Sequence, residues 1–265
     1  MKLSINHRTE YCYETPVSHS TQYLRLTPKS SARQRILSWE LEMPEAASRS
    51  TDGFGNILHV LTMDHPHDGI TIIARGEVEI VDEYMEDNDH RLSPLVYQRF
   101  TPITKPDPGI NAFAQRFAGA PKLEQLTQLS AALLELMPYV PGSTVVSSTA
   151  SDAFANGRGV CQDHTHVFLS CCRVLGVPAR YVSGYLYTDE SSHVASHAWA
   201  EAWLGERWHT FDVTNQACEP THHLKLAVGL DYLDACPVRG IRYGGGVESM
   251  HAFALVERRD WQSEQ

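Results

Sequence analysis

GVCQDHTHVFLSCCRVLGVPARYVSGYLY, residues 159–187, decides how this chain folds. Val167, Phe168, Cys171, Cys172 and Leu175 recur at steps of three and four, the period of a helix with one apolar face. Gly159 precedes the pattern and Gly176-Val177-Pro178 ends it, the punctuation expected of a helix stop. Ala179 to Tyr187 then turns to β-branched and aromatic residues, which reads as a strand. Cys161 therefore stands at the first turn of a helix that leads directly into a sheet.

Working downstream, Ala198 to Leu204, Arg207 to Val213 and Val247 to Val256 read as further strands. One helix followed by a run of strands is an α+β arrangement, not the alternation of an α/β fold. Upstream, Phe113, Phe117, Leu123, Leu126, Leu129, Leu133, Leu134 and Met137 keep helical spacing, so residues 109–137 should form one or two helices broken at 119–121. Ser151 is the expected cap of a short helix before Gly157-Arg158-Gly159.

The pattern changes again before that. Leu3 and Ile5, Tyr11 and Tyr13, Leu24 and Leu26, Ile57 to Leu61 and Ile70 to Val81 are short strand-like segments. Turn signals at Thr15-Pro16, Thr27-Pro28-Lys29 and Asp52-Gly53-Phe54-Gly55-Asn56 separate them. Residues 1–85 are accordingly expected to form an all-β domain, a sandwich or a barrel. Pro94, Pro102, Pro106 and Pro108 mark 86–108 as a connector, leaving 109–265 as the second domain.

A chain of 265 residues is long enough for two such cores. Its formal charge of -10 argues against nucleic acid and anionic membrane surfaces, which attract a basic excess. The first residues lack the apolar core of a signal peptide, and no run approaches 18 apolar residues, so a cytoplasmic location is the expectation. Six cysteines at irregular spacing, with no CxxC pair, do not suit a disulfide scaffold or a structural zinc site. Cys171 and Cys172 read as core thiols.

Cys161 differs from them in its place at the helix start and in the residues downstream of it. A free thiol titrates at about 8.5, and both a helix N-terminus and a protonated histidine favour its anion. His197 opens one predicted strand and Asp212 closes the next, spacings of 36 and 15 residues that allow helix, strand, hairpin and strand. A histidine held beside Cys161 and oriented by Asp212 is the constellation of nucleophile, base and orienter. The backbone N–H of Cys161 is one donor for an oxyanion, and Gln162 and His166 are candidates for a second.

A rival reading is metal binding by Asp163, His164, His166, His193 and His197. The spacing argues against it, since His164 and His166 point in different directions on a helix, and His193 and His197 do not converge on a strand. His222-His223 reads as a polar loop. No metal and no other cofactor is expected.

At these motifs the chain resembles the bacterial transglutaminase-like superfamily of cysteine enzymes, in the form with an N-terminal β domain. EYCYETPVSHSTQYLRLTP and DGFGN resemble that domain. GVCQD, CRVLGVPARYVSGYLY, SHAWAEAW and FDVTN resemble the catalytic core, and the segment from Gly229 to Gly240 a further block. The resemblance implies a papain-like core, a helix bearing cysteine packed on an antiparallel sheet, with Cys161 as nucleophile, His197 as base and acid, and Asp212 as orienter. Two positions depart from the pattern: His164 stands where an aromatic is more usual, and Val213 where a proline commonly follows the aspartate. The implied activity is acyl transfer, with hydrolysis of a peptide or protein substrate preferred. Glutamine–lysine crosslinking and a noncatalytic peptide-binding module are the alternatives.

Overall fold

The computed structural model describes residues 1–81, 92–119, 123–188, 196–218 and 222–259. Its first element, β1 (Lys2–Leu24), is a single long strand whose inward residues, among them Leu3, Ile5, Tyr13, Val17 and Leu24, are buried. It is followed by β2 (Gln34–Glu42), β3 (Ser48–Thr51), β4 (Ile57–Met63) and β5 (His67–Ile80). Bulges near Val17 let the two halves of β1 serve different neighbours. Its first half pairs with β5 and its second half with β4, all antiparallel.

The opposite edge of β1 is filled from the far end of the chain. Strands β10 (Val238–Gly244) and β11 (Glu248–Arg259) pair with residues 17–24 and 2–13 of β1, completing a seven-stranded sheet. This corrects the expectation that 109–265 folds as one body apart from the first domain. Alternation in Val247 to Val256 predicts a strand but carries no label for its partner, and β1 offers an open edge along its whole length.

The intervening chain builds the other core. A 3₁₀ turn at Pro94–Gln98 lies in the predicted connector, followed by α1 (Pro108–Gln115), α2 (Leu123–Leu136), α3 (Ala150–Asn156) and α4 (Cys161–Val174). Thr149, not Ser151, caps α3, through a reciprocal bond pattern with Asp152. The connector is tied down by buried Arg173, whose guanidinium donates to the carbonyls of Tyr97, Ala179 and Leu230 and to the Thr104 hydroxyl.

Strands β6 (Ala179–Leu186), β7 (His197–Leu204), β8 (Arg207–Phe211) and β9 (His223–Gly229) form a four-stranded antiparallel sheet in the order β8-β7-β6-β9. A short helix, α5 (Tyr232–Ala235), leads from β9 into β10. Helix α4 packs on this sheet through Phe168, Cys171 and Cys172 against Tyr181, Ala200 and Phe211, with α1–α3 around it. Burying each large side chain there contributes about 1.5–3 kcal/mol. Tyr185, Leu224 and Leu226 instead join the core of the first sheet, beside Leu3, Ile5 and Ile72. The four-stranded sheet is thus covered by helices on one side and by the seven-stranded sheet on the other, which is why β6 is buried almost throughout. Among the described residues no helix is long and apolar enough to cross a membrane.

Candidate active site

Cys161 is the first residue of α4, placed there by the chain on both sides. Val160 is extended, and its N–H donates to Asp163 Oδ2 at 2.8 Å, while Thr144 Oγ1 donates to the same oxygen at 2.6 Å. The carboxylate at the third helical position thereby fixes the helix start. The N–H groups of the first turn have no partner within the helix, so the positive end of the helix lies at the Cys161 thiol. Cys161 is half-buried, whereas Cys171 and Cys172 on the same helix are fully buried.

His197 opens β7 and Asp212 follows β8, so hairpin pairing of these strands brings the two together. His197 Nε2 donates to Asp212 Oδ2 at 2.7 Å, and the Cys161 thiol lies close enough to the imidazole to raise its proton affinity. With Nε2 taken by the carboxylate, Nδ1 is the ring nitrogen left for sulfur. Trp199 stacks on the histidine, ring centroids 6.0 Å apart. Burial alone would lower the His197 pKa, but the bond to Asp212 and the nearby Cys161 outweigh it and raise it to about 10.

Asp212 is wholly buried. Its backbone N–H and C=O both pair with Ala217, closing the turn that contains Asn215. Burial pushes its carboxyl upward, yet bonds from His197 and His223 hold it well below the ordinary carboxylate range. Asn215 adds its side-chain amide to Oδ2 at 2.8 Å and its backbone N–H to Oδ1 at 3.2 Å. His223 Nε2 donates to Oδ2 at 2.9 Å.

The sequence-predicted residues therefore separate into two groups. Cys161, His197 and Asp212 come together. Gln162 is the neighbour of Cys161, but its side-chain amide donates to Val146 O at 3.0 Å, holding the preceding loop. His166, five residues along the helix and so on a different face, is buried against Tyr181 and accepts the Tyr232 N–H at 3.2 Å. Burial lowers its pKa to about 3.

Of the rival metal set, Asp163 caps α4. His164 donates from Nε2 to Met137 O and accepts from Thr214 Oγ1, tying α4 to the turn after Asp212. His193 lies outside the described residues. A different trio, His197, Asp212 and His223, has ligand-type atoms within 4.8 Å of one another. Their N···O separations of 2.7 and 2.9 Å are those of two imidazoles donating to one carboxylate oxygen, which accounts for the trio without an ion.

His223 and Asn215 join the site without being predicted from sequence. As sequence the pair His222-His223 reads as a polar loop, but His223 begins β9 and is buried. A signal is present in HLKLAVG, where Leu224, Leu226 and Val228 alternate as a strand does. Asn215 ends the FDVTN motif, where nothing in the spacing marks its role.

Comparison with known proteins places the chain in a family. Residues 3–79 match the bacterial transglutaminase-like N-terminal region and residues 111–213 match the transglutaminase-like superfamily. The chain belongs to the transglutaminase-like superfamily. An uncharacterized protein of Mycobacterium leprae is 31% identical over 97% of this chain and 99% of its own length. An uncharacterized protein of Mycobacterium tuberculosis is 30% identical over 93% of this chain and 89% of its own. The fold is shared with a candidate cysteine protease from Cytophaga hutchinsonii whose crystal structure superposes with a TM-score of 0.78, at 22% identity, over 99% of this chain and 92% of that one. This superfamily member thus keeps both the β region and the core throughout its length.

Proposed function

We propose that this protein is a cysteine-nucleophile acyl-transfer enzyme that hydrolyses peptide or amide bonds. The observation that carries the reading is His197, held between the Cys161 thiol and a buried Asp212 carboxylate. Cys161 Sγ attacks the substrate carbonyl carbon, and the oxygen takes the electron pair next to the unpartnered N–H groups of the α4 first turn. Collapse breaks the C–N bond, and His197 gives its proton to the leaving amine, leaving a thioester on Cys161. Water then attacks the thioester carbon, giving its proton to His197, and the acid departs as the thiol is restored. Asp212 keeps the ring oriented and stabilises its protonated form through both steps.

A peptide or protein substrate is supported by the segment between α2 and α3. Tyr139, close to Cys161, and Val145 and Val146 there present exposed apolar surface. Casein, peptide amides and glutamine peptides with a primary-amine probe test the reading. Release of acid that is lost in Cys161→Ala supports it, amine incorporation outpacing acid release moves the enzyme to crosslinking, and full turnover by Cys161→Ala overturns it.

A further inference from the structure

His223 is buried beside the His197–Asp212 pair, and two features of its surroundings give it a task. The first is its pairing. Asp212 Oδ2 accepts from three donors, His197 at 2.7 Å, Asn215 at 2.8 Å and His223 at 2.9 Å. His223 Nδ1 is buried with no hydrogen-bond partner among the described residues. Protonating that nitrogen would bury an unsatisfied, charged N–H, so the ring is held as the neutral tautomer with its single proton on Nε2, aimed at Asp212. Burial accordingly lowers the His223 pKa despite the adjacent carboxylate. Trp199 packs edge-on against the ring at 4.8 Å, which fixes its plane.

The second feature is the strand that carries it. β9 is the edge of the four-stranded sheet and pairs only with β6 within it. Its outer edge is met by two side-chain amides from the N-terminal β region. Gln34 Oε1 accepts from Lys225 N and Gln34 Nε2 donates to Lys225 O, both at 2.8 Å. Asn56 Oδ1 accepts from Val228 N at 2.9 Å and Asn56 Nδ2 donates to Val228 O at 2.8 Å. Each amide thus reproduces the two bonds that one residue of a neighbouring strand would make. Asn56 is itself held by Asp52, which Arg25 pairs at 2.8 Å. Gln34 grips the strand two residues from His223.

We propose that His223 is a positioning residue for the acyl-transfer site, donating to Asp212 so that the carboxylate stays aligned on His197, and that Gln34 and Asn56 of the N-terminal β region hold its strand in register. The proposal rests on the acyl-transfer reading of Cys161 and assigns the β region a part in the chemistry. The titratable and charged groups around His223 are Asp212, His197 and His222, together with Arg33, Glu201 and Lys225, which line a cavity of about 20 Å³ beside it.

The test compares His223→Leu, which removes the donor, with His223→Gln, whose Nε2 can restore it, and with Gln34→Leu, in the full-length chain. Histidine NMR gives the His197 titration without any substrate, and turnover on a peptide amide gives kcat and KM. In His223→Leu the His197 midpoint should fall from about 10 toward the ordinary 6.5. Its kcat should drop by about tenfold or more with KM little changed, and His223→Gln should recover to within about threefold of the native chain. Gln34→Leu should move the midpoint in the same direction by less, and it remains readable if His223→Leu does not fold. An unmoved His197 midpoint in folded His223→Leu, or a glutamine variant as impaired as the leucine one, overturns the proposal. Full activity in Cys161→Ala with the midpoint still displaced in His223→Leu overturns the acyl-transfer reading instead.

Discussion

The start of helix α4 and its buried interior bring the same kinds of side chain into opposite electrostatic states. At its first turn, Cys161 is half-buried beside His197 of β7, whose pKa is raised to about 10. Further along, Cys171 is buried and its thiol is pushed up by desolvation, and His166 is held neutral with a pKa lowered to about 3. Burial acts on both histidines in the same direction. What differs is the partner: His197 has a carboxylate at 2.7 Å, while His166 has only a backbone N–H to accept and Arg173 as the nearby charge. Residue type therefore does not identify the reactive pair; position at the helix start and a buried acid do.

The largest effect expected from breaking that contrast is at Cys161. Cys161→Ala should reduce turnover of any acyl substrate by at least about 10³-fold, with little change in the urea unfolding midpoint, because a partly exposed thiol contributes little packing. Asp212→Asn comes next. Asparagine keeps the shape but offers no charge to the imidazolium, and turnover should fall by roughly 10²-fold or more. Unchanged turnover in that variant would mean that another group orients the ring.

The thiols allow the contrast to be sharpened directly. Brief iodoacetamide treatment of the native chain should modify Cys161 ahead of Cys171 and Cys172, which react only on unfolding. His197→Ala should slow the labelling of Cys161 selectively, because the imidazole close to Cys161 is the group placed to take its proton. Peptide mapping of the labelled chain reads both outcomes. Conversely, Cys172→Ala should leave turnover intact and lower unfolding stability by about 1 kcal/mol, the consequence of a small void among Phe168, Cys171 and Phe211.

How far the sequence discloses this arrangement depends on how local each feature is. The helix start at Cys161 and the hairpin carrying His197 and Asp212 are legible because period, turn and cap lie within a few residues of one another. The break between α1 and α2 is legible for the same reason. Partners distant in sequence are not: nothing in Val238 to Arg259 announces that it pairs with residues 2–24, or in Gln34 that it bonds Lys225. His223 lies between these cases. Its strand can be read from alternation, but its bond to Asp212 depends on β9 lying beside β6, a topology that spacing does not encode. Gln162 escapes a sequence reading in a similar way, since its amide is drawn to Val146 by a loop whose course has no periodic signal.

The finest expected signal is the pH dependence of stability, where the two histidines act with opposite sign. His197 gains proton affinity on folding, so its contribution is complete below pH 6.5 and is lost as the pH rises toward about 10. His166 loses proton affinity on folding, as does His7, lowered by burial to about 4. Below pH 6.5 the unfolded chain takes up protons at these positions while the folded chain does not, so stability falls with acidification until the pH reaches about 4 for His7 and about 3 for His166. Each fully discriminating group adds about 1.4 kcal/mol per pH unit to that acid slope. His166→Gln isolates one of them, because glutamine Oε1 can still accept the Tyr232 N–H but cannot take up a proton. Urea unfolding at intervals between pH 6.5 and 4.5 should therefore show a shallower acid slope in the variant and an unchanged alkaline limb, the latter belonging to His197. An acid slope equal to that of the native chain would mean that His166 is protonated in the fold, and the contrast between His197 and His166 would be lost.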